Sequence, residues 1–326
     1  MLIPFLSSSF VLGWLAPSYD FLSISSAPSV VVDNINDNDQ TTFNSPKSIR
    51  PLVIWHGLGD NYNSSSQNRV ISLIQEVHPT IFIHSAYADI DPETDEKLSL
   101  FGDANLQIES VCSELQSIPQ LQNGFDAIGF SQGGLLLRGL VERCPSLAIN
   151  NLITFGSPHM GVSDLPLCSN PKDWVCKRRN AILKSQVWLD RIQRSILPAS
   201  YFRDPVQYDK YIFHSHFLAD VNNELVDTFN GSYSENLVKI NKLVLIKFNQ
   251  DTTLVPKDSA WFADVDSVTG DIIPFDETLL YSQDLIGLKE LHLQNKIVFQ
   301  EINEDHMVIS NEFLLKTVRE FTGGVV

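Results

Sequence analysis

The sequence has no excess of basic residues. Its 326 residues include 23 Lys and Arg against 39 Asp and Glu, which gives a formal net charge of −16 at pH 7. Such a charge argues against electrostatic binding to nucleic acid or to an anionic membrane surface. The sequence also lacks any apolar run of about eighteen residues, the length that a membrane-spanning helix needs. We therefore expect neither a nucleic-acid-binding protein nor a transmembrane span.

The motifs of most cofactor-dependent chemistries are also missing. The chain contains no Walker phosphate loop, no Gly-x-Gly-x-x-Gly dinucleotide fingerprint and no His-Glu-x-x-His zinc helix. Its cysteines and histidines show no spacing typical of a zinc site. We therefore expect chemistry that needs no cofactor and no metal ion.

The N-terminus lacks the basic segment that usually opens a signal peptide, because no Lys or Arg precedes Lys47. Residues 1–27 are nonetheless apolar and serine-rich, with a hydrophobic stretch at 10–16 and small residues at 25–27 that are typical of a cleavage site. We interpret residues 1–27 as a secretory signal peptide; the alternative is a disordered apolar arm. Residues 28–48 are rich in Asn and Asp, which predicts a flexible lead-in.

Cysteine is scarce, with four residues that allow three disulfide pairings. Cys168 and Cys176 flank a short polar loop, so we expect them to pair with each other, which leaves Cys112 to pair with Cys144. Free buried thiols are the alternative. Each disulfide would stabilise the fold by roughly 2–4 kcal/mol, because it restricts the unfolded chain.

Two N-glycosylation sequons agree with passage through the secretory pathway. They begin at Asn63 (Asn-Ser-Ser) and at Asn230 (Asn-Gly-Ser). Sequons also arise by chance, so they only support the secretory route that the predicted signal peptide and the cysteines indicate.

The core of the chain alternates between strand and helix patterns. Apolar runs typical of buried parallel strands lie at 51–55, 81–83, 125–128, 151–155, 242–248 and 296–299. Helical spacing of apolar residues lies at 70–77, 106–115, 135–141 and 312–321, and we interpret 89–95, with its acidic residues and Pro92, as a loop. This alternation predicts a mostly parallel sheet with helices on both faces. Residues 49–326 would form one such domain, interrupted by a largely helical insertion at about 161–241 that covers the active site.

The segment Gly129-Phe130-Ser131-Gln132-Gly133 lies between a predicted strand and a predicted helix. Gly-x-Ser-x-Gly in this position is typical of the nucleophile elbow, a tight turn that presents a serine hydroxyl above the sheet. Glycines suit its flanks because strand and helix come so close that a Cβ would collide. An ordinary glycine-rich turn is the alternative.

A serine nucleophile needs a base in contact with it and an acid that orients the base. In proteins with a nucleophile elbow of this kind, the acid and then the base follow the serine along the chain, each beyond the end of a strand. Asp251 follows the predicted strand at 242–248, and His306 follows the one at 296–299. Asp258 and Asp264 are weaker candidates for the acid because they lie further along the loop.

Acyl transfer also needs backbone N–H donors where negative charge develops. One should be Gln132, directly after the nucleophile. The other should be Leu58, in the His56-Gly57-Leu58-Gly59 turn after the first strand, where glycines on both sides allow close approach.

The chain resembles the lysosomal palmitoyl-protein thioesterases. The motifs that carry the likeness are LVIWHGLGD (52–60), GFSQGG (129–134), FLAD (217–220), DSAWF (258–262), GLKEL (287–291) and DH (305–306). The resemblance implies a lysosomal α/β hydrolase that cleaves the thioester between a long fatty acyl group, such as palmitate, and cysteine. It implies the same triad, Ser131, Asp251 and His306, and the same oxyanion donors, Leu58 and Gln132. It also implies the pairs Cys112–Cys144 and Cys168–Cys176, and an acyl groove walled by the insertion.

The predicted function is therefore hydrolysis of fatty acyl thioesters on S-acylated proteins or peptides, through an acyl-enzyme on Ser131. We expect a monomer in the lysosome or vacuole, or a secreted protein. The alternatives are a secreted lipase or esterase, or an acyl-CoA thioesterase, with the same triad. A lipid-binding protein that keeps the fold without catalysis is a third possibility, against which the complete triad argues.

Overall fold

A six-stranded parallel sheet forms the centre of the molecule. The structure is a computed structural model, and it describes residues 49–164 and 184–325. The strands are β1 (Leu52–Trp55), β2 (Ile83–Ala86), β3 (Phe125–Phe130), β4 (Ile149–Phe155), β5 (Lys242–Phe248) and, after a small hairpin, β8 (Ile297–Ile302). Their order in the sheet is β2-β1-β3-β4-β5-β8, and every neighbouring pair is parallel. The hairpin pairs β6 (Asp264–Val265) with β7 (Ile272–Ile273).

Helices fill most of the connections. The longer ones are α1 (Ser65–Val77), α2 (Pro92–Leu100), α3 (Ala104–Ser117), α4 (Gln132–Arg143) and, at the end, α12 (Asn311–Phe321). Between them lie α5 (Asp190–Gln193), α6 (Leu197–Ser200), α7 (Tyr208–His214), α8 (Leu218–Val221), α9 (Gly231–Leu237), α10 (Leu279–Ser282) and α11 (Leu288–Leu293). Short 3₁₀ turns occur at Pro119–Leu121, Pro205–Gln207, Val226–Thr228, Lys257–Trp261 and Phe275–Glu277. No helix within the described ranges has both the length and the apolar character needed to cross a bilayer.

Both faces of the sheet are buried, as a parallel sheet requires. Side chains of β1 show the alternation: Val53 and Trp55 belong to the core that includes α3 and α4, whereas Leu52 and Ile54 belong to the core that includes α1 and α12. All four are between 0% and 2% exposed. The prediction of an α/β-hydrolase fold with helices on both faces is confirmed.

Two local predictions were wrong. The second strand occupies Ile83–Ala86 rather than 81–83, and the segment 89–95 is not a loop throughout, because α2 begins at Pro92. The start of α2 has a clear physical cause. Asp91 caps the helix by accepting a hydrogen bond from the Thr94 N–H. Pro92 occupies the first helical position, for which its backbone is suited. The Glu93 carboxylate lies in the first turn, where the positive end of the helix dipole stabilises it.

The predicted insertion lies between β4 and β5, and its described part contains the short helices α5 to α9. Residues 165–183, with Cys168 and Cys176, lie outside the described residues, as do the predicted signal peptide at 1–27 and the lead-in at 28–48. Cys112 of α3 is joined by a disulfide to Cys144, the residue that follows α4, as expected from the sequence.

Parallel pairing gathers the functional loops at one edge. Strands β1, β3, β5 and β8 all point the same way, so the segments that follow them meet beyond their carboxyl ends. These segments carry Leu58, Ser131, Asp251 and His306.

Candidate active site

Ser131 occupies the turn between β3 and α4 with φ 50° and ψ −122°. This positive φ is unfavourable for a residue with a side chain. It is held by hydrogen bonds on both sides: the Ser131 N–H donates to the Phe155 carbonyl at 2.7 Å, and the Gly134 N–H donates to the Ser131 carbonyl at 3.1 Å. The backbone of the neighbouring strand therefore supports the turn that presents the hydroxyl.

The flanking glycines are required by close backbone contacts. A Cβ on Gly129 would lie 2.3 Å from the Gly134 Cα, and a Cβ on Gly133 would lie 2.4 Å from the carbonyl oxygens of both Trp55 and His56. The latter contact shows that α4 starts directly against the end of β1. The nucleophile turn and the turn that carries Leu58 are thus neighbours.

The structure brings the three predicted triad side chains together. The Ser131 Oγ lies 2.9 Å from the His306 Nε2, and the His306 Nδ1 lies 2.6 Å from the Asp251 Oδ2. The Asp251 side chain is 1% exposed and that of His306 is 13% exposed. The chain of contacts therefore runs from a buried carboxylate to a hydroxyl at the cavity surface.

Two aspartates hold this arrangement in place. The Asp251 Oδ1 accepts hydrogen bonds from the N–H groups of Thr253 and Leu254, both at 2.8 Å. Asp305, which precedes the histidine, accepts from the His306 N–H at 2.8 Å and from the Thr252 N–H at 3.2 Å. Asp305 therefore links the loop that carries the acid to the loop that carries the base.

The weaker candidates for the acid lie elsewhere. Asp258 pairs with the Lys247 ammonium at 2.8 Å, and Asp264 forms an ion pair with the buried Arg203. Neither contacts His306 in the described part of the chain.

Both predicted oxyanion donors lie beside the serine. Gln132 is the first residue of α4, and Leu58 lies in the turn after β1. Within the described ranges neither backbone N–H donates a hydrogen bond to the protein. Gly57 lets this turn approach the nucleophile, because a Cβ there would lie 3.3 Å from both the Phe130 carbonyl oxygen and the Ser131 Cβ.

His56 and Asp95, which support the Leu58 turn, were not predicted from the sequence. His56 is 3% exposed and lies 3.0 Å through Nε2 from the Oδ2 of Asp95 in α2. Asp95, fully buried, also accepts from the N–H groups of Tyr62 at 2.9 Å and Ala88 at 2.7 Å. The Asp91-Pro92 helix start was the signal that could have placed Asp95 on a helix rather than in an acidic loop.

A cavity of about 370 Å³ opens onto the triad. Ser131 and His306 line it, most of its surface is apolar, and its lining comes from several segments of the chain. Helices α1 and α12, the described part of the insertion and the loops beyond the strands all contribute to the lining. The walls include Val70, Leu314, Val162, Pro198 and Tyr201. Such a volume lies within the range of small-molecule sites, about 300–1,000 Å³.

Neither sequon asparagine is among the residues that line the cavity. Asn63 is exposed in the segment before α1. Asn230 is half-buried and caps α9, where its side-chain oxygen accepts from the Ser232 N–H at 3.1 Å. Glycosylation at either residue stays a prediction.

Comparison with known proteins identifies the family. A family profile described as palmitoyl protein thioesterase matches residues 51–306. Palmitoyl-protein thioesterase 1 of Caenorhabditis elegans is 36% identical over 274 residues, which cover 82% of this chain and 90% of that protein. Palmitoyl-protein thioesterase 3 of Dictyostelium discoideum is 34% identical over 251 residues, covering 77% and 82% of the two chains. Lysosomal thioesterase PPT2-B of Xenopus laevis is 28% identical over 259 residues, covering 78% and 85%. The chain belongs to the palmitoyl protein thioesterase family, and the prediction made from its motifs is confirmed.

Proposed function

We propose that this enzyme, a thioester hydrolase by its family, releases long-chain fatty acids from cysteine residues of S-acylated proteins or peptides. The observation that carries the proposal is the continuous contact from Asp251 through His306 to Ser131, which opens into an apolar cavity. The names of its relatives support an acylated protein as the substrate.

Acylation begins at Ser131. With Nδ1 protonated and donating to Asp251, the His306 Nε2 accepts the proton of the Ser131 hydroxyl as Oγ attacks the thioester carbonyl carbon. The carbonyl oxygen becomes negatively charged, and the N–H groups of Leu58 and Gln132 donate to it. The fixed Asp251 carboxylate stabilises the imidazolium that forms.

Collapse of this intermediate breaks the carbon–sulfur bond. The cysteine sulfur leaves with the electron pair and takes the proton from His306, which leaves the acyl group as an ester on Ser131. A thiolate departs more readily than an amine, so this step demands little acid assistance. Water then attacks the ester carbonyl, with His306 accepting its proton and returning one to Ser131, and the fatty acid is released.

The cavity is suited to the acyl chain. Its walls are mostly apolar, and transfer of an alkyl chain from water into such surroundings is favourable by about 0.8 kcal/mol for each methylene group. Ser131 lies at the lining of this cavity, so a chain that enters it leaves its carboxyl end beside the nucleophile.

The direct test uses a palmitoylated cysteine peptide. Ser131→Ala should reduce the rate of fatty acid release by roughly 10³-fold or more, because a triad acts as a unit. Ser282→Ala, an exposed serine outside the site, is the matched control and should retain full activity. Comparable thermal unfolding of both variants excludes misfolding as the cause. Substantial turnover by Ser131→Ala would show that Ser131 is not the nucleophile.

The same assay separates this function from its alternatives. The wild-type enzyme should cleave the palmitoyl thioester of a cysteine peptide faster than the palmitoyl ester of the matching serine peptide and faster than palmitoyl-CoA. A preference for the ester would identify a lipase or esterase. A preference for the CoA compound would identify an acyl-CoA thioesterase.

We also propose a lysosomal location, because three of the relatives are named lysosomal thioesterases in vertebrates. The predicted signal peptide and the two sequons agree with that route. Co-fractionation of the tagged full-length chain with a lysosomal marker is expected, and a purely cytosolic distribution would contradict it.

A further inference from the structure

Ser99 contacts both halves of the proposed oxyanion hole. It lies in α2 and is 3% exposed. Its Oγ accepts a hydrogen bond at 2.8 Å from the N–H of Gly59, the residue directly after Leu58. Its carbonyl oxygen accepts a hydrogen bond at 3.0 Å from the side-chain Nε2 of Gln132. One buried residue thus bonds to the turn of the first donor and to the side chain of the residue that supplies the second.

We propose that Ser99 is a positioning residue that sets the Leu58 and Gln132 N–H groups relative to each other. The proposal rests on the proposed function, since it assigns a role in the reaction of that site. Ser99 does not touch the reacting atoms, and it acts through Gly59 and through the Gln132 side chain.

Within the Leu58 turn itself, the Asp60 N–H donates to the Gly57 carbonyl at 3.4 Å, a long hydrogen bond. Gly59 is exposed, has φ +71°, and has no neighbouring atom within 4 Å of the position where a Cβ would be. Such a glycine is free to move unless a hydrogen bond holds it. The bond from the Gly59 N–H to the Ser99 Oγ supplies that restraint, one residue away from the Leu58 N–H.

The Gln132 side chain is held at both ends. Its Nε2 donates to the Ser99 carbonyl, and its Oε1 accepts from the Tyr201 hydroxyl at 3.0 Å. The residue is 2% exposed, so bulk solvent does not reach the amide to replace either partner. These two bonds fix the orientation of the first residue of α4, whose N–H is the second donor.

Helix α2 is itself anchored to the same turn. Asp95, one helical turn before Ser99, accepts from the Tyr62 N–H and pairs with His56. The Ser99 hydroxyl donates to the Glu96 carbonyl at 2.7 Å, which directs its lone pairs toward Gly59. Asp95 therefore holds the two ends of the Leu58 turn, and Ser99 holds its middle.

The test compares two ligands that differ in their use of the oxyanion hole. In a long-chain alkyl trifluoromethyl ketone, the carbonyl carbon forms a covalent bond with the Ser131 Oγ, and the resulting oxyanion accepts from the two donors. A palmityl thioether occupies the cavity but forms no oxyanion. Ser99→Ala removes the Oγ that holds Gly59 but keeps the carbonyl that accepts from Gln132, so it loosens the Leu58 donor alone. Loss of a whole donor costs about 10²–10³ in kcat, so loosening this one should cost about 10- to 100-fold in kcat and in ketone affinity. The KM and the thioether affinity should stay within about twofold.

Thr317→Ala is the matched control. Thr317 is also a buried helical hydroxyl, 1% exposed, and it donates to the Phe313 carbonyl in α12. Its removal should affect the two ligands equally. If Ser99→Ala likewise weakens both ligands to the same extent, or weakens neither, Ser99 has only a structural role and the proposal fails.

If Ser99→Ala does not fold, a second variant tests the positioning role of Ser99. Gln132→Met keeps the backbone N–H and the side-chain length but removes the amide that bonds to the Ser99 carbonyl and to the Tyr201 hydroxyl. It should reproduce the selective loss of ketone affinity, and unchanged ketone affinity would overturn the proposal.

Failure of the proposed function would be recognised separately. The rate at which a fluorophosphonate labels Ser131 depends on the nucleophile and the oxyanion donors but on no thioester. A wild-type enzyme that reacts with the probe yet leaves palmitoyl thioesters intact would refute the proposed substrate. The effect of Ser99→Ala on the labelling rate would still be measurable.

Discussion

Replacement of Gly133 by alanine tests how tightly the nucleophile turn is packed. A Cβ at this position would lie 2.4 Å from two backbone carbonyl oxygens, those of Trp55 and His56. Cβ atoms in proteins essentially never lie closer than 3.0 Å to such an atom. Because the obstacle is backbone at the end of a central strand, no side-chain rotation can relieve it, and α4 must move away from β1.

The expected cost has two parts. Overpacking of a dense core destabilises a protein by about 1–3 kcal/mol, and occasionally by more. A displacement of about 1 Å between reacting groups can also reduce the rate by about 100-fold. Since Ser131 and Gln132 move with the start of α4, while Leu58 moves with the end of β1, we expect Gly133→Ala to lose activity even where it stays folded.

Urea unfolding measures the loss of stability, and kcat/KM on a palmitoyl thioester measures the loss of activity. Gly270→Ala is the control: Gly270 has φ +76° but no atom within 4 Å of a built Cβ, and it lies in the loop between β6 and β7. It should lose about 1–2 kcal/mol through backbone strain alone and keep its activity. Wild-type stability and wild-type kcat/KM in Gly133→Ala would refute the close contact between β1 and α4.

Two further predictions concern stability. Burial of Glu142, which outweighs the attraction of Arg138 at 2.9 Å, raises its pKa from 4.5 to about 7. The folded state therefore binds a proton that the unfolded state has released, and stability should fall as pH rises from 4.5 to 7, by at most about 1 kcal/mol per pH unit. Urea unfolding across this range should show a smaller pH dependence in Glu142→Gln, and identical slopes would contradict the assignment. Replacing Cys112 and Cys144 together by serine should cost about 3–4 kcal/mol, because the disulfide closes a loop across a separation of 32 residues. An unchanged urea midpoint would show that this disulfide contributes little.

Most of the strands, and the three side chains that meet beyond their ends, could be predicted because their signals are local. An apolar run such as 242–248 marks a strand buried on both faces, and Asp251 follows it by only a few residues. Gly-x-Ser-x-Gly requires two glycines within one turn, because a Cβ at either position would collide with neighbouring backbone atoms. The chain order of serine, acid and base then leaves few candidates, and His306 is the one that follows a strand near the end of the chain.

Helix α2 was missed because its polar residues resemble those of a loop. Asp91, Pro92 and Glu93 are common in loops, although together they are also typical of a helix start. The burial of Asp95 could not be predicted, because a carboxylate in a surface helix is usually exposed. It is buried because three partners from other segments meet it there: the His56 imidazole and the N–H groups of Tyr62 and Ala88.

The sequence by itself determined the parallel sheet, the family and the three side chains that the structure brings together, Ser131, Asp251 and His306, since each depends on residue type and on spacing along the chain. Only the tertiary structure decided which side chains hold those groups in place. Ser99 lies 40 residues from Gly59 and 33 residues from Gln132, and Tyr201 lies a further 69 residues beyond Gln132. Contacts over such distances depend on how the helices pack against the sheet, and no local pattern in the sequence records that packing.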